Sequence, residues 1–310
     1  MSGSTAPLFI DERAVDACFG PAEAVAAVEQ ALTGLADGKI RNGPRVRTDL
    51  GGFTVNTMSA ASTRLGRACV KLYPVVAAAH QTQGTQLHVS LYDLRSGRLL
   101  AVTSAELLTW RRTAAASVVA MRRLGWQPRR MAIIGTGKVA RAHVEACLTL
   151  LPELESIAVA GRTLRQAAEL TESVDRAGLV TAGEVEEIVR AADVVVLATS
   201  SATPVIDASW LRLPTLLIAT GSNRSDAREL GADVIERCER IVVDELATAR
   251  IESGDLIANA VEWDRVEELP RRHGRQAPGE GIVLYESHGL AAFDLTASAH
   301  VYDRQLEGLT

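Results

Sequence analysis

Two positive charges in this sequence stand where charge is costly. Lys71 lies in "ACVKLYPVV", an apolar run that reads as a strand. Arg112 lies in "LLTWRRTAAAS", where Leu108, Arg112, Ala115 and Val119 share one helical face. A lysine inside a strand must either snorkel to the surface or point into a site. A buried cation needs an anion, and the carboxylate of a small substrate would serve. Arg47 in "PRVRTDL" is a third candidate cation, which composition alone does not separate from Arg45.

A second stretch could hold a cofactor. "MAIIGTGKVARAHVEA" runs four apolar residues into Gly-Thr-Gly and continues with a helical pattern. "GTGKVA" fits G-x-G-x-x-A. Gly135 would allow a tight turn after the strand, and Gly137 would let a pyrophosphate approach the backbone. Ala140 would let helix and strand pack closely. Thr136, Lys138 and Val139 complete the loop, and the helix start offers free N–H groups and a positive dipole to phosphates. The next strand ends "IAVAGRT". An NAD site places Asp or Glu there for the ribose 2′-hydroxyl; this chain has Arg162 and Thr163. An arginine would bind a 2′-phosphate through charge-assisted bonds, each about 1.5–3 kcal/mol. NADPH is therefore expected, with NAD the second choice. Thr199 and Ser200 after the fourth strand, and Asn223 after the fifth, stand where an open α/β sheet binds its ligands.

The elements that must position these residues are legible as periodicities. Residues 16–38 read as one amphipathic helix, with Gly38 as its stop. From 45 to 100 the period is two. In "TQLHVSLYDL", Leu87, Val89 and Leu91 face one side, and Gln86, His88, Ser90 and Tyr92 the other. His88 reads as an interface residue. Residues 103–124 return to helix, with Thr103 or Ser104 expected as cap. After Pro128, apolar runs at 131–134, 156–160, 193–198, 215–219 and 240–243 alternate with helical patterns, which implies a doubly wound parallel sheet. "GIVLYES" reads as a further strand, residues 295–307 as a helix, and 268–281 as a mobile loop.

Composition excludes several classes. The 310 residues are 47% hydrophobic but only 4% aromatic, so the core must be aliphatic and alanine-rich. A net charge of −5 with no run of one sign argues against nucleic acid. There is no secretory signal pattern and no membrane-length apolar stretch. Cys18, Cys69, Cys147 and Cys238 are far apart in apolar contexts, which suits reduced core thiols rather than a zinc or disulfide framework. A cytoplasmic protein with no metal is expected.

The order "VKL", "TSAELLTWRRTAAAS", "IIGTGKVARAH", "GSNRSDAREL" and "YESHGLAAFDLTAS" resembles the ornithine cyclodeaminase/mu-crystallin family across nearly the whole chain. The resemblance implies an α/β fold: a Rossmann domain at 126–287 inserted in a smaller α+β substrate and dimerisation domain at 1–125, completed by 288–310. It implies a homodimer built through the sheet of the smaller domain. It also implies that Arg47, Lys71 and Arg112 hold the α-carboxylate of an amino or imino acid, with Lys71 able to manage a proton. Thr113 would sit near the cofactor phosphates and Gly289 near the nicotinamide.

The family contains cyclodeaminases, alanine dehydrogenases and ketimine reductases. In the first two, an aspartate six residues before the glutamate of the "EL" element acts at the reacting carbon; here that position is Asn223, counted from Glu229. Asparagine cannot take a proton at neutral pH, and losing a general base costs about 10²–10⁴-fold. Asp226 reads instead as the cap of the next helix. His288, unusual in its motif, reads as packed. With Arg162, these departures point to an NADPH-dependent reductase of an α-imino acid or cyclic ketimine carboxylate. The alternatives are a cyclodeaminase using catalytic NAD, an alanine dehydrogenase-like enzyme, and a non-catalytic NADPH-dependent binding protein. Side-chain specificity is expected from the strand face of Gln86 and His88, a turn at 58–60 and the 268–281 loop.

Overall fold

The structure, a computed structural model, describes residues 6–76, 86–174, 176, 178–269 and 278–308. Most of the loop expected at 268–281 lies outside the described residues. The chain divides into two units: residues through Arg112 with those from Leu290 onward, and Thr113–Gly289. The division passes inside one helix, upstream of the break at Pro128 that marked 125–126 as the expected boundary. A chain break is a local feature, whereas membership of a unit follows packing.

The first unit begins with β1 (Leu8–Ile10), α1 (Glu12–Cys18) and α2 (Pro21–Ala36). The single helix expected over 16–38 is thus two. Pro21 has no N–H to continue α1, so Gly20 turns extended and Pro21 starts a new helix at its first position. Strands β2 (Ile40–Asn42), β3 (Val46–Asp49), β4 (Phe53–Ser62), β5 (Arg67–Val76), β6 (His88–Asp93) and β7 (Leu99–Ser104) follow. They form one sheet in the order β1-β7-β6-β5-β4-β2, with β3 also on β4. Among the described strands of this sheet, only the β1–β7 pair is parallel. The C-terminal helix Ala291–Glu307 lies against β4, β5, β6 and α2 and covers one face of this sheet. On the other face, Val70 and Leu72 of central β5 are 37% and 45% exposed, and Phe9 of β1 is 71% exposed.

Helix α3 (Glu106–Arg123) follows β7. Thr103 and Ser104 belong to the strand and do not cap it. Its first N–H groups, on Glu106 and Leu107, instead donate to the Glu12 carboxylate at 2.9 and 3.0 Å. The cap comes from α1, a partner that local sequence does not reveal.

The second unit carries β8 (Arg130–Ile134), α4 (Lys138–Leu150), β9 (Ser156–Ala160), α5 (Leu164–Glu172), β10 (Val180–Ala182), α6 (Val185–Ala191), β11 (Val194–Leu197), β12 (Thr215–Ala219), α7 (Ala232–Arg237), β13 (Cys238–Val243), α8 (Leu246–Glu252), α9 (Gly254–Ala258), β14 (Val266–Glu268) and β15 (Ile282–Glu286). Its eight strands are all parallel, in the order β10-β9-β8-β11-β12-β15-β13-β14. The order reverses between β8 and β11, because the chain winds outward through β9 and β10 and then returns to the other side of β8. Ligands of such sheets bind at the carboxyl ends of the strands beside that switch point. Among the described residues, no helix is long and apolar enough to cross a membrane. The four cysteines are free thiols, three of them buried.

Candidate functional site

In the first unit the register of β4, β5 and β6 places Lys71 opposite Met58 on one side and Val89 on the other. Directly paired residues share a face, so Lys71 stands on the covered face with Cys69 and is only 2% exposed. It does not snorkel. Its Nζ donates to Asp294 Oδ1 at 2.9 Å and to Thr109 Oγ1 at 2.8 Å. Arg112 Nε donates to the same Asp294 oxygen at 3.2 Å. Asp294, in the first turn of the C-terminal helix, is fully buried. Its other oxygen, Oδ2, has no hydrogen-bond partner among the described residues.

Burial pushes the Lys71 ammonium down to about 8; Asp294 pulls it up, and the nearby Arg112 and Arg45 cations push it down further. Burial by itself would raise the Asp294 carboxyl, but Lys71 and Arg112 outweigh it and hold it below the usual carboxylate range. The Arg45 guanidinium lies 6.0 Å and Lys71 Nζ 5.9 Å from the Tyr73 ring centre. Arg47 is exposed and donates from Nε to Asn56 Oδ1 at 3.2 Å. Arg47 pairs with Asn56, and Asn56 with Tyr73, so it shares the Lys71 face one row away. Sequence left Arg45 undecided and missed Asp294 and Tyr73. An aspartate inside the apolar run "LAAFDLTAS" was the available signal.

Two expectations about specificity need correction. His88 pairs with Leu72, not Lys71, and so lies on the opposite face of the sheet. Residues 58–60 form no turn; they are the middle of β4, where Met58 touches the Lys71 row.

In the second unit, the ends of β8, β9, β11 and β12 surround a cavity of about 780 Å³. Gly135, Thr136, Gly137, Lys138, Val139, Arg162, Thr199 and Ser200 all line it, as do Gly161, Ser201, Val205 and Gly221. The fit to a dinucleotide can be tested on the glycines. Gly135 has φ +132°, and a Cβ there would lie 2.3 Å from the Ala198 carbonyl oxygen. Gly137 starts α4 with no side-chain cap, and a Cβ there would meet nothing within 4 Å. The start of α4 therefore opens onto free space without a side-chain cap, which suits a pyrophosphate. Arg162 is exposed at the rim, at the end of β9. These residues fit the cofactor.

Other expected residues lie elsewhere. Thr163 caps α5, its hydroxyl accepting from Gln166 N–H at 3.3 Å. Thr113 is buried on α3, and Asn223 is half-buried in the loop after β12; neither lines the cavity. Gly289, at φ +75°, donates its N–H to Asp244. Asp226 caps no helix: it sits in an exposed turn, ion-paired with Arg224, and α7 begins only after Gly231. A carboxylate two residues from an arginine in a non-helical loop finds that partner before a helix end. His288 is packed, its Nε2 3.5 Å from Glu286 Oε2. Burial and the neighbouring Asp255 push that glutamate well above the ordinary range. No carboxylate or histidine is among the described residues lining the cavity.

Residues 10–308 match the ornithine cyclodeaminase/mu-crystallin family. The chain belongs to that family. It is 32% identical to a Delta(1)-pyrroline-2-carboxylate/Delta(1)-piperideine-2-carboxylate reductase of Azospirillum brasilense over 88% of each chain. It is 36% identical to Delta(1)-pyrroline-2-carboxylate reductase 2 of Burkholderia ambifaria over 67% of each. The structure of Thermococcus litoralis Delta(1)-pyrroline-2-carboxylate reductase with NADH and L-proline shares the fold, with a TM-score of 0.89 at 24% identity, covering 97% of this chain and 98% of that one. The expected α/β architecture, a Rossmann sheet together with a smaller α+β domain, is the one observed.

Proposed function

We propose that this chain is a nicotinamide-dependent reductase of cyclic α-imino acids, adding hydride to the C=N carbon of a ring such as pyrroline- or piperideine-2-carboxylate. The observation that carries the reading is the buried cluster in which Lys71 and Arg112 converge on a single carboxylate, Asp294, with the Arg45 cation near enough to lower Lys71 further. Two buried cations converging on one carboxylate, with a third cation nearby, make a site that suits a substrate carboxylate. The two family members named above act on such rings by name.

Each residue then has a task. Arg112 and Arg45 or Arg47 orient the substrate carboxylate. Lys71, charged at neutral pH and held by Asp294 and Thr109, supplies the proton that keeps the imine nitrogen cationic. A bound nicotinamide supplies the hydride. The iminium is its own electrophile, so this direction needs no strong base, which agrees with Asn223 in place of an aspartate. Cyclodeamination, which needs one, is disfavoured.

Two finer statements belong to the same reading. Arg162, standing where an NAD site has an acid, selects NADPH over NADH. In the wild type, NADPH oxidation at 340 nm with pyrroline-2-carboxylate should run well ahead of NADH oxidation. Arg162→Ala should cut that preference by roughly tenfold or more through KM for NADPH. No loss of either nucleotide with any cyclic imine, or ammonia release from ornithine with catalytic NAD, would overturn the reading. The protein is also expected to be a homodimer through the open sheet face that exposes Val70, Leu72 and Phe9. Light scattering should give twice the 33.1 kDa chain mass, and Leu72→Lys should shift it toward one chain; a monomeric wild type at micromolar concentration would refute this.

A further inference from the structure

The loops after β11 and β12, which form one side of the cavity, are tied to one residue outside it. Glu229 is fully buried and does not line the cavity. Its Oε1 accepts the Thr199 N–H at 3.0 Å and the Thr199 hydroxyl at 2.6 Å; its Oε2 accepts the Gly221 N–H at 3.0 Å. The Thr199 hydroxyl, oriented by that donation, accepts the Ser201 N–H at 3.1 Å. The Glu229 carbonyl accepts the Val205 N–H at 2.9 Å. Thr199, Ser201, Val205 and Gly221 are all wall residues of the cavity. The approach is tight: a Cβ on Gly221 would lie 2.2 Å from the Thr199 carbonyl oxygen and 2.4 Å from Glu229 Oε2. Glu229 is itself fixed, since its own N–H and that of Leu230 donate to Asp255 Oδ1 at 2.7 and 2.8 Å.

We infer that Glu229 is a positioning residue for the nicotinamide nucleotide, its carboxylate pinning the β11 and β12 loops together so that they hold the cavity's shape. It acts through Thr199 and Gly221 and touches no ligand. The inference rests on the cavity being the nucleotide site. Glutamine at 229 keeps the size but turns an NH₂ donor toward one of three protein donors, which breaks the clamp on that side. A merely structural glutamate would change stability and leave affinity alone.

The test is NADPH titration of the purified full-length chain by protein fluorescence, with steady-state kinetics beside it. Glu229→Gln is expected to raise Kd for NADPH about tenfold or more, while KM for the imine at saturating NADPH moves less than about twofold. Thr199→Val, which removes only the hydroxyl, should weaken binding in the same sense. Thr199→Ser, which keeps it, should restore near wild-type affinity. The Glu229→Gln/Thr199→Val double variant should lose less than the sum of the two single losses. A folded Glu229→Gln that binds NADPH as tightly as wild type overturns the inference. If that variant does not fold, equal affinity of Thr199→Val and wild type overturns it instead. A wild type that binds neither NADPH nor NADH refutes the cofactor reading itself, which is a different outcome.

Discussion

Lys71→Met is expected to lower kcat/KM for pyrroline-2-carboxylate by about 10²–10⁴-fold, the range for loss of a positioned proton donor, while Kd for NADPH stays near wild type. Methionine fills the space between Met58 and Val89 without a charge, and Asp294 keeps Arg112 as a counter-ion, so the folded variant reports on chemistry and carboxylate binding. The pH profile sharpens the test. Lys71 is a base whose value burial lowers to about 8, so its charged, proton-donating form persists below that pH and is lost above it. Wild-type kcat/KM should therefore decline as pH rises through about 8. In Lys71→Met the residual activity should lack that limb. A variant retaining more than about a tenth of wild-type activity, or keeping the limb, would remove Lys71 from the proton-donor role.

Asp294→Ala is the second large effect, and it falls on stability. Asp294 is the carboxylate that both Lys71 and Arg112 engage, with all three nearly sealed from solvent. Removing one member of a buried ion cluster costs about 3–5 kcal/mol, because it strands the charges left behind. Two cations are stranded here. Urea unfolding should show that loss, and Lys71→Met in the Asp294→Ala background should recover part of it by deleting one stranded charge. A single variant losing less than about 1 kcal/mol would show that the cations are solvated or paired by other means.

How far the sequence reaches can be judged on particular residues. The dinucleotide loop was legible because a strand, two glycines, a small residue and a helix are consecutive, and each is a local demand of backbone geometry. Gly135 and Gly137 stand where those demands put them. The buried cations were legible because an ionised group in an apolar period is a conflict visible in one dimension. The family resemblance rests on such motifs recurring in order.

What the conflict was resolved by could not be read. Asp294 lies 223 residues from Lys71 and 182 from Arg112, and only the packing of the C-terminal helix on β5 brings it there. Strand register decided that His88 faces away from Lys71, since a period of two fixes alternation but not which residues pair across strands. Glu12 caps α3 from another helix, and Pro21 splits what periodicity joined. Glu229 looks like an ordinary surface glutamate; its role appears only where two strand ends meet. The sequence by itself determined the local geometry of the glycine loop and the positions of charge out of place. Tertiary structure alone decided the partners that neutralise that charge, because ion pairs and clamps of this kind are made between segments whose distance along the chain carries no signal.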